Sequence, residues 1–295
     1  MPARKDPVRV VSHVMAYAAF YLAPLILGFG FLMQWLAGAL AGMTLANLAA
    51  ALFANWIALK IFADLPVTAI GLWGNRASAD NFAVGLLGGI GAACVVLSLP
   101  LGAGVAHFAR IAGEQPTIWA GVFLMVFLLV GSAAEEILFR GFGFQTLLAS
   151  FGAWASIVPG AVLFGLLHRG NPGATWLGIV NTMGFGAVFG YGCVRSRDLW
   201  LPIGLHFGWN FTLPLFGVRV SGLTMTVTGH EMSWTAGTLW SGGAYGPEAS
   251  VLTSAVVVLL FLYVWKAPVR RQTSPLTDPP AESAICDSSS LPLPS

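Results

Sequence analysis

Apolar runs of helical length recur along this chain, and the polar residues between them are few. The runs predict helices over Tyr17–Leu36, Leu45–Phe62 and Phe82–Val105, then a fourth from Ile118 that continues toward Leu148. Four more follow at Ala153–His168, Trp176–Cys193, Leu199–Leu215 and Ala249–Trp265. Inside lipid every backbone group needs an internal partner, so long apolar runs imply helices rather than open sheet. The expected fold class is therefore all-α, a polytopic transmembrane helical bundle of about eight spans. Residues 63–80, with Pro66, Trp73, Gly74, Asn75 and Arg76, predict an interfacial connection. Residues 218–247 have no clear apolar period and are expected to fold partly over the bundle. Residues 1–268 form one membrane-embedded domain on this reading, and the Pro- and Ser-rich stretch 269–295 a disordered polar tail.

Composition agrees. The 295 residues are 57% hydrophobic and 9% charged, where a soluble domain carries about a quarter charged. The net charge of +2 comes with no lysine or arginine cluster large enough to grip a nucleic-acid backbone, so nucleic-acid binding is set aside. Eight spans place both termini on one side. The connections and termini of that side hold eleven of the fourteen cations, counting Arg140, against Arg110, Arg169 and Arg219 on the other. Cations accumulate on the cytoplasmic face, so both termini are expected there. The first run lacks a small-x-small cleavage site and is read as an uncleaved helix. Cys94, Cys193 and Cys286 are too scattered for a disulfide framework or a thiolate metal site. The glycines between Gly173 and Gly192 predict a tightly packed inner helix.

Ionisable side chains within a bilayer are costly and face the bundle interior or a water-filled cavity. They occur here as Glu135, Glu136 and Arg140 in SAAEEILFRGF, Phe164 and His168 in LFGLLHRGN, and His206 and Asn210 in LHFGWNF. On a helix Glu136 and Arg140 share a face, and Glu135 lies about 100° away. Glu136 is thus free to pair with Arg140 while Glu135 points elsewhere. Alone, the acidic pair with its arginine also fits a charged helix end at the interface, and a lone histidine among apolar residues is commonly a packing residue. Three helices carrying these groups can converge on one point in a bundle.

Hydrolysis of a peptide bond needs a water made nucleophilic, a donor for the oxyanion and an acid for the departing amine. Burial suits a carboxylate to general-base work near neutral pH, and Glu135 is the candidate. His168 is placed to orient the water or carry its proton, and His206 with Asn210 to donate to the oxyanion. A zinc ion held by Glu135, His168 and His206 is the other arrangement these residues fit. The histidines lie 38 residues apart and no HExxH is present, so metal and metal-free routes both stand.

The ordered motifs EExxxR, FxxxH and HxxxN resemble those of the CAAX-processing and bacteriocin-processing (CPBP, or Abi) family of intramembrane endopeptidases, which includes the type II CAAX prenyl endopeptidases. The resemblance covers about residues 117–216. It implies an eight-helix architecture, cleavage of a membrane-associated or prenylated protein or peptide, and a catalytic role for Glu135, by a metallo- or glutamate-dependent mechanism. The loop SGGAYGPEAS has a loose likeness to long members, and its Glu248 is read as a helix-start residue. A bacterial inner membrane suits the short loops. Two other classes fit buried polar groups: a transporter and a noncatalytic immunity or scaffold protein. One tension concerns depth, because an outward-running fifth helix carries His168 away from Glu135 and His206 unless that helix is short or tilted.

Overall fold

The computed structural model describes residues 6–278. The helices are α1 (Pro7–Pro24), α2 (Gly30–Ala37), α3 (Ala39–Phe62), α4 (Arg76–Gly102), α5 (Ile118–Arg140), α6 (Phe142–Phe151), α7 (Ala153–Leu167), α8 (Trp176–Ser196), α9 (Trp200–Leu215), the short α10 (Thr238–Ser241) and α11 (Val251–Lys266). All eight anticipated segments are helical, and the fold is all-α in its core.

The number of spans differs from the expected eight. Among the described residues five helical segments are long and apolar enough to cross a bilayer: Pro7–Ala37, Ala39–Phe62, Arg76–Gly102, Ile118–Phe151 and Trp176–Ser196. These make the chain an integral membrane protein. The other three have 15, 16 and 16 residues, and at 1.5 Å per residue fall short of a hydrocarbon core about 30 Å thick. The physical reason is clearest in α9, where every position from Leu201 to Trp209 is buried. Its apolar character reflects protein packing rather than lipid contact. The expectation that both termini are cytoplasmic falls on residues 1–5 and 279–295, outside the described residues.

Close approach of α4 and α9 sets the position of the later histidine. A Cβ at Gly85 would strike the Leu201 carbonyl, and one at Gly89 the Leu205 carbonyl. Reciprocally, Cβ atoms at Gly204 and Gly208 would strike Phe82 and Leu86 backbone. Four glycines thus let two backbones touch. Two residues further on, about 200° around the helix, His206 projects from the opposite side.

α5 does not run unbroken through residue 148. It stops at Arg140, and α6 restarts after Gly141, where a Cβ would collide with Asn55. The Asn55 side chain accepts from Phe142 N at 2.7 Å and donates to Ile137 O at 3.1 Å and Ala51 O at 2.8 Å. Those bonds satisfy backbone groups that a helix end leaves open.

The connection 218–247 is more ordered than its sequence suggests. β2 (His230–Trp234) pairs antiparallel with β1 (Ala106–Arg110), with Ala106 opposite Trp234 and Arg110 opposite His230. The first ten residues of the anticipated tail are also held. Gln272 Nε2 donates to Asp198 Oδ2 at 2.6 Å, Arg270 N to Asn81 Oδ1 at 2.8 Å, and Asn81 Nδ2 to Asp198 Oδ2 at 2.7 Å. Burial pushes the Asp198 carboxyl above its usual range, opposed by its bonds from Asn81 and Gln272. The remainder of that tail, 279–295, lies outside the described residues.

Candidate active site

Glu136 and Arg140 lie one turn apart near the end of α5, with side chains 0% and 2% exposed. Arg140 Nη1 is 3.1 Å from each carboxylate oxygen. Its Nη2 donates to Gly186 O at 2.8 Å on α8. The guanidinium carbon also sits 5.0 Å from the Phe164 ring centre and 5.6 Å from those of Phe139 and Phe189. A planar cation enclosed by aromatic faces and one carboxylate is held in a single orientation. Arg140 is thus not a loop charge, although the count of inner-face cations included it.

The pair extends to α9. His206 Nδ1 lies 2.9 Å from Glu136 Oε1. A carboxylate accepts, so this nitrogen carries the proton, leaving Nε2 to face Glu135 Oε2 at 4.0 Å. The separation expected from the charge pattern is therefore realised. Glu136 is committed to Arg140 and His206, and Glu135, with 39% of its side chain exposed, turns toward open space.

That space is a cavity of about 350 Å³ whose wall includes Glu135, Phe164, His168, His206 and Asn210. His168 follows directly on the 15-residue α7, whose shortness brings the imidazole to the cavity and removes the depth conflict. Its Nδ1 is 2.8 Å from Phe164 O. A carbonyl only accepts, so Nδ1 donates and Nε2 holds the lone pair. Phe164 stands between the imidazoles, 4.8 Å from the His168 ring centre and 6.0 Å from that of His206. Asn210, four residues beyond His206, shares its helix face. All six anticipated polar residues thus meet at one place, four lining the cavity and Glu136 with Arg140 behind it.

The donor set for a metal is less well gathered. Among the described residues no three His, Cys, Asp or Glu side chains are grouped closely enough to hold an ion. Glu135, His168 and His206 line one cavity without forming such a group.

Sequence reasoning missed one carboxylate. Glu248 is 5% exposed and lines the same cavity. It accepts from Trp209 Nε1 at 3.3 Å, from Ser221 Oγ at 3.2 Å and from Ser221 N. Burial raises its carboxyl above the ordinary range, countered by the Ser221 amide and by His168. Its place just ahead of the apolar run of α11 gives it the look of a helix-start residue in sequence. The available signal was a lone acid bordering an apolar run. Val220, Ser221, Leu223 and Met225 also line the cavity, so the start of the 218–247 connection forms part of its wall.

Residues 117–212 match the family described as "Type II CAAX prenyl endopeptidase Rce1-like". The chain is also 32% identical over 109 residues to a Bacillus subtilis (strain 168) protein, "Uncharacterized protein YyaK", the match covering 34% of each chain. It therefore spans about a third of that relative's length. No solved structure matches. The matched stretch contains Glu135, Glu136, Arg140, both histidines and Asn210, whereas Glu248 and the lining residues from Val220 to Met225 lie outside it. Over this part of its length the chain is similar to the CAAX/CPBP-like (Rce1-like) family, and the similar stretch holds the buried Glu136–His206 contact.

Proposed function

We propose that this protein is an intramembrane endopeptidase that hydrolyses a bond in a membrane-associated protein or peptide, with a bacterial cytoplasmic membrane as its setting. The observation that carries the reading is the gathering of Glu135, His168, His206 and Asn210 around one cavity among apolar helices. A scaffold has no need of a half-exposed carboxylate facing two imidazoles across open volume.

The roles follow from which atoms are already committed. Glu135 accepts a proton from water, and the hydroxide attacks the substrate carbonyl carbon. His168 Nε2, a lone-pair site because Nδ1 donates to Phe164 O, orients that water. With Nδ1 donating to Glu136, His206 serves the developing oxyanion as the imidazolium, whose Nε2–H donates to it together with the Asn210 side-chain amide. Collapse of the tetrahedral species breaks the C–N bond, and the proton held by Glu135 passes to the departing amine. Glu136 and Arg140 act by fixing His206. Prenylated proteins are one substrate class suggested by the family description, and unlipidated membrane peptides fit the cavity's apolar walls equally.

The test is incubation of the purified protein with membrane peptides, new termini being identified by mass spectrometry. Glu135→Gln keeps side-chain shape and removes the base, so cleavage should fall by about 10²- to 10⁴-fold, the usual worth of a positioned acid–base group. Folding, read by melting, should be retained. Undiminished cleavage by Glu135→Gln would remove that residue from the mechanism. A parallel arm with a strong chelator and metal analysis tests the zinc alternative: chelation is expected to leave cleavage intact, and loss restored by zinc would favour the metal route.

A further inference from the structure

The two carboxylates that line the cavity have no permanent cation beside them. Glu136 is neutralised by Arg140, but Glu135 and Glu248 have no lysine or arginine within ion-pair distance among the described residues. The groups facing them that can carry positive charge are imidazoles, His206 beside Glu135 and His168 near Glu248.

Glu248 is built to be an acceptor. Trp209 Nε1 and the Ser221 amide can only donate, and they occupy different carboxylate oxygens. With Ser221 Oγ they fill three of the roughly four acceptor positions a carboxylate offers. A second polar group in the wall is also without a mate: Ser132 is 1% exposed, and its hydroxyl has no hydrogen-bond partner among the described residues. Buried charge that lacks a counter-ion is costly, and a ligand that brings the counter-ion recovers that cost on binding. Apolar side chains such as Leu128, Phe185, Leu223 and Met225 share the rest of the wall with the uncharged polar residues Thr44, Asn47, Asn171 and Thr182, so Glu135 and Glu248 are its acidic groups.

We propose that the cavity selects an otherwise apolar peptide carrying a primary ammonium or guanidinium group near the bond presented to Glu135, and that Glu248 is the specificity-determining residue that holds this cation. The inference rests on the peptidase reading of the cavity and adds the substrate's charge to it. It also predicts that an acidic group in the same place is rejected, since it would face two carboxylates.

The experiment uses the full-length protein in lipid nanodiscs and labelled apolar peptides of about 20 residues. Each carries Lys, Gln or Glu at one position scanned along an N-acetylated peptide, and a further arm keeps Gln and leaves the N-terminal amine free. Binding and cleavage are both read. In wild type a cationic peptide should bind at least about tenfold more tightly than its acidic counterpart at some position, a gap of about 1.4 kcal/mol. Glu248→Gln should shrink the ratio to about twofold or less, equivalent to about 0.4 kcal/mol, and Glu248→Asp should preserve the preference. A gain confined to the Lys arm assigns the cation to a side chain, and one confined to the free-amine arm assigns it to a terminus. Equal binding of cationic, neutral and acidic peptides at every position, or a ratio that Glu248→Gln leaves unchanged, overturns the proposal. Cation-selective binding without cleavage of any peptide would sink the peptidase reading while leaving charge selection in place.

Discussion

Replacing Arg140 by Met tests whether the buried ion pair holds the site together. Both partners are almost fully enclosed, with Arg140 Nη1 3.1 Å from each Glu136 oxygen. Removing one member of such a pair strands the other charge and costs about 3–5 kcal/mol. Loss of the donor to Gly186 O adds about 1 kcal/mol, and loss of cation–π contact with three rings about another 1 kcal/mol. The double variant Glu136→Leu/Arg140→Met leaves no unpaired charge there, and its chief remaining defect is the His206 Nδ1 proton without its acceptor, about 1–3 kcal/mol. Equilibrium unfolding in mixed micelles, run as a double-mutant cycle, should show the double variant recovering at least about 2 kcal/mol of the single variant's loss. It should nevertheless be inactive, because His206 is no longer oriented. Additive losses would refute the argument, since they would mean that neither charge depends on the other.

Two further outcomes follow from packing and charge elsewhere. Gly85→Val places atoms where α4 meets the Leu201 carbonyl, and should cost about 1–3 kcal/mol by overpacking; the same change at Gly91, where a Cβ meets nothing within 4 Å, should be close to neutral in the same melting assay. At Asp198 burial raises the folded-state pKa, so the folded form binds more protons than the unfolded one. Stability should therefore fall as pH rises from the ordinary aspartate range through the raised value. Asp198→Asn should flatten that slope in melting curves, and a slope of opposite sign would contradict the assignment.

The eight helices were legible because apolar runs mark helices wherever lipid or protein surrounds them. For the same reason hydropathy could not separate the five long spans from α9, whose residues face other protein. The division of labour between Glu135 and Glu136 was readable from helix geometry, because one residue turns the chain by about 100°, and Arg140 falls under Glu136 alone. Gly85 with Gly89, and Gly204 with Gly208, each form a four-residue small-residue spacing of the kind that lets membrane helices touch. Their partnership depends on which helices are neighbours, which a single sequence does not state. Strands β1 and β2 are separated by most of the bundle in sequence and meet only through tertiary pairing, Phe108 opposite Met232, so neither five-residue piece announced itself. Glu248 was hidden likewise, since Ser221 and Trp209 reach it only after the 218–247 connection folds beside the cavity.

The central claim is that Glu135, His168 and His206 act together in one cavity, the first two on the attacking water and His206 on the oxyanion it creates. Its most direct measurement is the cleavage rate of a membrane peptide by Glu135→Gln, by His206→Ala and by the double variant, each checked for folding. Groups that act as a unit lose most of their rate at the first substitution, so the double variant should be nearly as active as the weaker single one. Losses that multiply, each variant lowering the rate by the same factor whether or not the other is present, would show two independent contributions and contradict the account.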